Sequence, residues 1–429
     1  MSILVFNSGS SSLKFGLFEA ETCRTLASGS IDWADGDRRR AVLTFHAEQG
    51  GEFRAAVDVP DDQTAVSCAI RTLAESNPAG AEPYTTIDVV GHRVVHGGGE
   101  FPSNVLIDER VKATIAGLAE LAPLHNPPAL GTICAAEAVL SGAAQVAVFD
   151  TAFFAHLPLR AQVYPVPYSW YADRGIRRFG FHGLSHQYCS QRAAEMVGQD
   201  GFLDARTSDA EAETSRGHDR TFPATKKLRI VSCHLGGGCS AAAIQGGVAI
   251  AHTMGFTPME GLMMGTRSGS VDPGVLIHLQ RRYGLTVAEL DDALNFRSGL
   301  LGVSGVSPDF AKVEEAAAAG NPRARLAVEM FADRVRSAIG SMAVTMGGVD
   351  VFIFTDRVGE NSAVARAAAC DGLECLGLQL DPQRNAACRP DADIARPQSP
   401  ARILVIHTRE ELMIAREAWR VAGRPRAPS

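Results

Sequence analysis

The sequence predicts an α/β protein built from two related halves. Two observations carry that prediction. Short apolar runs suited to strands alternate with capped helical segments, and one device, a strand, a glycine- and serine-rich turn and a second strand, occurs twice. The first copy is Ile3-Leu4-Val5-Phe6, the turn Asn7-Ser8-Gly9-Ser10-Ser11-Ser12, and a strand from Leu13 to Phe18. The second runs from Leu228 through His234 into Leu235-Gly236-Gly237-Gly238-Cys239-Ser240 and on through Ala241 to Ile244. Each reads as a hairpin with a polar tip. Duplication of the device implies two half-molecules facing a shared cleft, each offering its turn.

Further strands are expected at Asp88 to Val95, Gln145 to Phe149, Val349 to Phe354 and Ile403 to Ile406, each ending in polar or glycine-bearing sequence, where chemistry collects. Asp272-Pro273 opens a helix over Gly274 to Tyr283, and Thr286 with Glu289 forms a capping box for the next. A long helix starts near Asn321-Pro322, carries Leu326, Met330, Phe331, Val335, Ile339 and Val344 at mostly helical spacing, and stops at Gly347-Gly348. The polar stretch 207–227 has no apolar period and is expected to be a mobile surface insertion, and the tail after Arg420 is expected to fray.

Composition narrows the function classes. With 429 residues, 46% hydrophobic and 21% charged, the chain can bury cores of two or three domains. Its net charge of -7, from 41 basic and 48 acidic residues spread along the sequence, supplies no field to hold nucleic acid or an anionic membrane. The nine cysteines form no CxxC pattern and often sit in apolar runs, so they read as reduced core thiols of a cytoplasmic protein. The start, MSILVFNSGSSSLKF, has neither a basic n-region nor a long apolar run, so no export signal or membrane span is expected there.

Chemistry concentrates in a few segments. The two hairpin tips offer backbone N–H groups and hydroxyls suited to a polyphosphate, yet no GxxxxGK[ST] loop is present and Lys14 follows the first tip inside a strand. Charged residues stand within apolar or turn-bounded sequence in GHRVVHGG (91–98), LAPLHNPP (121–128), VFDTAF (148–153), FGFHGLSH (179–186) and MGFTPMEGLMMGTRSGSVDPG (254–274). Arg93 in a β-branched strand and Arg267 between glycine turns are placed as guanidinium forks for anions. His125, His182 and His234 are candidate functional imidazoles, with His182 foremost. No HExxH or clustered Cys/His pattern indicates structural zinc.

These motifs, in this order and over nearly the whole chain, resemble the acetate kinase family of the acetate and sugar kinase, heat-shock ATPase and actin superfamily. The resemblance implies duplicated ribonuclease H-like (actin-like ATPase) domains facing a central cleft, 1–150 plus 412–429 and 151–411, in a homodimer. It implies reversible in-line transfer between ATP and acetate, with Mg2+ or Mn2+, and small molecules as partners. By resemblance, Asn7 and Glu410 would hold the magnesium region, and Ser10, Ser12 and Lys14 the first phosphate loop. Arg93 and Arg267 would flank the acyl carboxylate and the moving phosphoryl group; His182 would stabilise that group and Asp150 would order the metal. Val95, Leu124, Phe181 and Pro258 resemble the pocket for the methyl group of acetate, and His125 with His234 would line the cleft. The nucleotide would meet His234, Leu235, Gly236, Gly237, Gly238, Asp309, Phe310, Arg357, Gly359 and Asn361.

The chain departs from the family pattern on the nucleotide side. HLGNGxS has Gly237 for its asparagine, NDFR ends in Ala311, and FTAGIGE or FTGGIGE becomes Phe354-Thr355-Asp356-Arg357-Val358-Gly359-Glu360. The PTNEE motif is His407-Thr408-Arg409-Glu410-Glu411. Arg357 is therefore expected either to contact the nucleotide in place of the lost arginine, to point outward paired with Asp356 or Glu360, or to block the base pocket. A propionate or butyrate kinase, and a ligand-binding member without catalysis, remain open beside the acetate reading.

Overall fold

Of its strands, β1 (Ser2–Ser8) is buried along almost its whole length, so it presents an unbroken apolar run rather than alternation. The computed structural model describes residues 1–9, 11–33, 37–48, 51–76, 87–198 and 227–423. They form two compact units, one from Met1–Ala155 with Arg409–Ser429 and the other from His156–Thr408. Expectations for Ser10, for 207–226 and for the last six positions fall outside the described residues.

In the first unit β1 pairs antiparallel with β2 (Ser12–Glu19), in a register that sets Asn7 opposite Lys14. The sheet then extends through β3 (Thr25–Asp32), β4 (Ala41–Ala47) and β5 (Gly51–Val57), three strands that apolar runs alone did not reveal. On the other side of β1 lie β6 (Ile87–Val94) and β8 (Ala144–Phe149), both parallel, and the short β7 (Val105–Leu106). The order is β5-β4-β3-β2-β1-β6-β8-β7. Leu4, Phe6, Phe15 and Phe45 pack against Val66, Ala69 and Leu73 of the helix Asp62–Glu75. The helix Glu410–Ala422 covers β1, β6 and β8. Only a glycine at position 91 permits that approach, since a Cβ there would stand 2.9 Å from Ile414 Cγ2 and 3.0 Å from Ala418 Cβ.

The second unit repeats the plan. β9 (Arg229–Leu235), β10 (Cys239–Gln245) and β11 (Val248–His252) form an antiparallel meander, followed by β12 (Val351–Thr355), β13 (Ala392–Asp393) and β14 (Arg402–Val405), in the order β11-β10-β9-β12-β14-β13. β12 runs parallel to both β9 and β14. Five strands therefore correspond between the sheets, β3-β2-β1-β6-β8 with β11-β10-β9-β12-β14, each an antiparallel hairpin and meander continued by two parallel strands. This is the duplicated actin-like fold.

Helix starts follow their caps. Asp272 accepts from Gly274 N–H ahead of Pro273–Tyr283, and Thr286 and Glu289 form the reciprocal box. The helix Pro322–Thr345 is present, but its buried stripe is Ala324, Ala327, Phe331, Val335, Ile339 and Met342. Leu326 and Val344 are 49% and 74% exposed, because alanines let the helix lie close to its neighbours and turn the larger residues outward. The cysteines are all free thiols, and five are buried; Cys134 and Cys375 are exposed, against the expectation of core thiols throughout.

Candidate active site

The parallel strands of the first unit end on charged groups. Asn7 lies at the end of β1, Arg93 near the end of β6, and Asp150 directly after β8. Arg93 Nη2 donates to Asp150 Oδ2 at 2.7 Å, its Nε reaches Asp150 Oδ1 at 3.3 Å, and its Nη1 donates to Asn7 Oδ1 at 3.1 Å. Glu410, in the first turn of its helix, pairs with Arg93 at 3.3 Å, and Asn7 Nδ2 donates to Glu410 and to Glu411 at 3.2 and 3.1 Å. Burial alone would lower the pKa of Arg93, but Asp150 and Glu410 outweigh it and hold the guanidinium above its usual value. Asn7, Asp150, Glu410 and Glu411 offer only oxygen donors, the hard ligands Mg2+ takes. The residues therefore fit that ion. No cluster of three or more His, Cys, Asp or Glu placed to hold a metal occurs among the described residues, and Mg2+ commonly binds through one or two carboxylates together with water and phosphate oxygens. Ser12 opens β2, Lys14 is exposed on it, Val95 is buried one residue past β6, and Leu124 is exposed just before His125, the residue preceding the helix Asn126–Val139.

The second unit gathers imidazoles and a different arginine. His182, at φ 57°, stands at the start of the helix Gly183–Met196, with His186 one turn on. Ser240 Oγ lies 2.9 Å from His182 Nδ1 and 2.8 Å from His186 Nε2, so one hydroxyl bridges two rings. His234 stacks on His182 with centroids 4.1 Å apart, its Nδ1 lies 2.9 Å from Ser185 Oγ, and its Nε2 lies 3.2 Å from Asp356 Oδ2. Register places His234 opposite Ser240 across the β9–β10 hairpin, beside Gly236, Gly237 and Gly238. Gly238 is close-packed: a Cβ there would stand 2.6 Å from Arg267 Nη2 and 3.1 Å from His182 Nε2, so the guanidinium and the imidazole converge on one stretch of backbone.

Arg267 contrasts with Arg93. Its Nη1 donates to the Pro258 carbonyl at 2.6 Å, no carboxylate pairs with it among the described residues, and burial lowers its pKa. The loop carrying it is pinned by Tyr164, whose oxygen accepts from Phe256 N–H at 2.9 Å and whose hydroxyl donates to Glu260, itself paired with Arg178. Phe181 is fully buried nearby in sequence to His182, and Pro258 is half-buried.

A cavity of ≈ 630 Å³ lies within this unit, its lining including Gly236, Gly237, Asp309, Phe310, Arg357 and Asn361. Arg357 is 68% exposed and pairs with Asp309, not with Asp356 or Glu360 as the outward pose expected. Those two carboxylates are engaged elsewhere, Asp356 with His234 and Glu360 with His407 and the Thr408 and Asp356 N–H groups. Asn361 Nδ2 donates to the Arg357 carbonyl at 2.8 Å, Leu235 is buried at the end of β9, and Gly359 is buried against Phe354. Sequence reasoning missed Ser185, Ser240, Glu260 and the Asp356 contact; the i,i+4 spacing of His182 and His186 was the one visible signal.

Duplicated actin-like halves, with glycine turns and arginines beside strand ends, define an enzyme of the phosphotransferase class. Comparison with known proteins narrows this. The acetokinase family pattern matches residues 2–203 and 215–416, and the chain belongs to that family. It is 46% identical to an acetate kinase of Cyanothece sp. over 427 residues, covering 98% of each chain, and 41% identical to one of Dictyoglomus thermophilum, covering 99% and 100%. Among solved structures, Porphyromonas gingivalis acetate kinase matches with a TM-score of 0.82 at 39% identity, and a Francisella tularensis propionate kinase with 0.84 at 34%. Each covers 98% of this chain and 99% of its own.

Proposed function

We infer that this enzyme catalyses reversible phosphoryl transfer between ATP and acetate, giving acetyl phosphate and ADP by direct in-line displacement. The observation that carries the reading is Arg267, a guanidinium set within the second unit beside His182 and the glycine turn with no carboxylate paired to it among the described residues. Such a group is ready for an external anion. Acetate is ionised at neutral pH and needs no general base; the obstacle is bringing it to a polyanionic donor. Arg267 and His182 act on the charge that spreads over the phosphoryl oxygens, and Arg93, oriented by Asp150, acts on the acyl carboxylate. Mg2+, or Mn2+ in its place, would be held by Asn7 and Glu410 with Asp150 ordering it, and would neutralise phosphate charge when bound. Ser10, Ser12, Lys14 and Gly236 to Gly238 receive phosphates, and Asp309, Phe310, Arg357, Gly359 and Asn361 the nucleoside. Val95, Leu124, Phe181 and Pro258 take the methyl group.

The reading includes a cytoplasmic homodimer that acts on small molecules, with neither nucleic acid nor membrane as partner. The helix Pro273–Tyr283 buries no residue, and Val275, Ile277 and Tyr283 are 45%, 48% and 67% exposed, which supports a second copy covering it. No helix among the described residues is long and apolar enough to cross a membrane.

The test is a hydroxamate assay for acyl phosphate over a matrix of acetate, propionate and butyrate against ATP, GTP and pyrophosphate, in wild type and Arg357→Gly. Acetate with ATP is expected to give the highest kcat/KM, and loss of Arg357 to raise the KM for ATP. No acyl phosphate from any pair would sink the reading. The likeness to a propionate kinase is the reason for including longer acids, since one methylene changes binding by only about 1–3 kcal/mol.

A further inference from the structure

Asp356 combines three features that an ordinary helix-start residue lacks. It is the first residue of the short helix after β12, and its φ of 64° places a non-glycine residue in the left-handed region. Strain of that kind persists where the surroundings hold it, and its presence is a reason to ask what the side chain reaches. The carboxylate lies against the backbone of Gly236, where any Cβ would overlap it. It also ends 3.2 Å from His234 Nε2.

His234 is the ring on which His182 stacks, at 4.1 Å and 29°, and its other nitrogen lies 2.9 Å from Ser185 Oγ. A carboxylate can only accept, so the contact favours a proton on His234 Nε2. The ring is then held at both nitrogens and cannot turn without breaking one contact. Its face supports His182, whose Nδ1 is held in turn by Ser240 Oγ at 2.9 Å and whose Nε2 is directed to the stretch at Gly238 that Arg267 also reaches.

We propose that Asp356 is a positioning residue for phosphoryl transfer, fixing the His234 tautomer and ring plane and, through the stack, the aim of His182. The inference rests on the phosphotransferase reading of the site. It predicts an effect on turnover rather than on substrate affinity, because the reach from Asp356 to the phosphoryl group runs through two rings.

The experiment uses the full-length enzyme and two variants that tolerate a positive φ, Asp356→Gly and Asp356→Asn. The His234 tautomer is read from long-range proton–nitrogen NMR correlations, with His234→Gln as the assignment control, beside kcat and KM for ATP and acetate. Wild type is expected to show the Nε2–H form. Asp356→Gly is expected to lose the exclusive Nε2–H form, with Nδ1–H becoming populated, and to lose about 10- to 100-fold in kcat, the scale on which removing the orienting partner of a metal-ligating histidine acts, with each KM within about threefold. Asp356→Asn follows its tautomer, with kcat retained where the amide oxygen accepts from Nε2–H and lost where its NH2 turns inward. A variant that keeps full kcat after the tautomer changes would overturn the proposal, as would one that loses kcat with the tautomer unchanged, or a lower KM for ATP as the main effect. Inactive wild type would instead count against the phosphotransferase reading itself.

Discussion

Removing the guanidinium of Arg93 takes a cation from both oxygens of Asp150, whereas removing that of Arg267 takes one from no carboxylate among the described residues. Asp150 is 1% exposed at its side chain, and Arg93 holds both of its oxygens. Arg93→Ala is therefore expected to lower kcat by about 10²–10³ and to destabilise the first unit, because the buried Asp150 carboxylate loses the cation that contacts both of its oxygens. Arg267→Ala should cost a similar factor in kcat and leave the unfolding midpoint unchanged or higher, because a guanidinium that burial disfavours has gone. Steady-state kinetics beside denaturant unfolding of both variants checks the contrast. Equal stability losses in the two would contradict this contrast between the two arginines. Both arginines stood out in the sequence as cations among apolar and glycine-rich residues. Their opposite electrostatic settings did not, since those depend on Asp150 and Glu410, the latter reached only through a helix more than three hundred residues further on.

Two glycines separate the stability of an element from the alignment of the site. Gly91 lets the helix Glu410–Ala422 lie on β6, and a methyl there meets Ile414 and Ala418, which are packed and cannot retreat. Gly91→Ala is expected to cost about 1–3 kcal/mol of stability and to disturb Glu410, which the same helix carries. At Gly238 the obstructing atoms are the ends of the Arg267 and His182 side chains rather than packed core, so the added methyl displaces site groups instead of an element. Gly238→Ala should accordingly keep its melting temperature while kcat falls, and a melting temperature lowered as far as that of Gly91→Ala would contradict the division. The hairpins bearing these turns were legible because a glycine- and serine-rich tip between apolar runs is a local signal. β3, β4 and β5 were not, since Thr25–Asp32 and its neighbours mix polar and apolar residues and take their strand form from pairing in sequence across the sheet. The long helix was found from its caps and its period, yet half of its buried residues are alanines, too weakly hydrophobic to mark the whole stripe.

At the scale of the whole molecule, buried histidines set the response to acid. Burial brings His92 down to about 4 and His252 to about 3, and pushes His186 well below its usual value. In the unfolded chain each titrates near 6.5. Between those values the unfolded state takes up protons that the folded state refuses, so stability falls as the pH drops. The contribution is complete above pH about 6.5 and is lost from there towards pH about 4, with a slope approaching 1.4 kcal/mol per pH unit for each imidazole. Denaturant unfolding at pH 7.5 and pH 5 measures it, and equal stabilities at the two would mean these rings protonate in the folded state. The first unit is also discontinuous along the chain, closed by a helix that follows the entire second unit. A ribosome adding roughly 5–20 residues per second must therefore make all of His156–Thr408, on the order of 10–50 s of synthesis, before Ile414 and Ala418 exist to cover β6. Throughout that interval the nascent sheet carries Arg93 and Asp150 without Glu410, and an apolar face without its lid. Chaperone holdases that recognise exposed strands have their longest opportunity there, and premature termination anywhere in the second unit yields a first half that cannot complete itself.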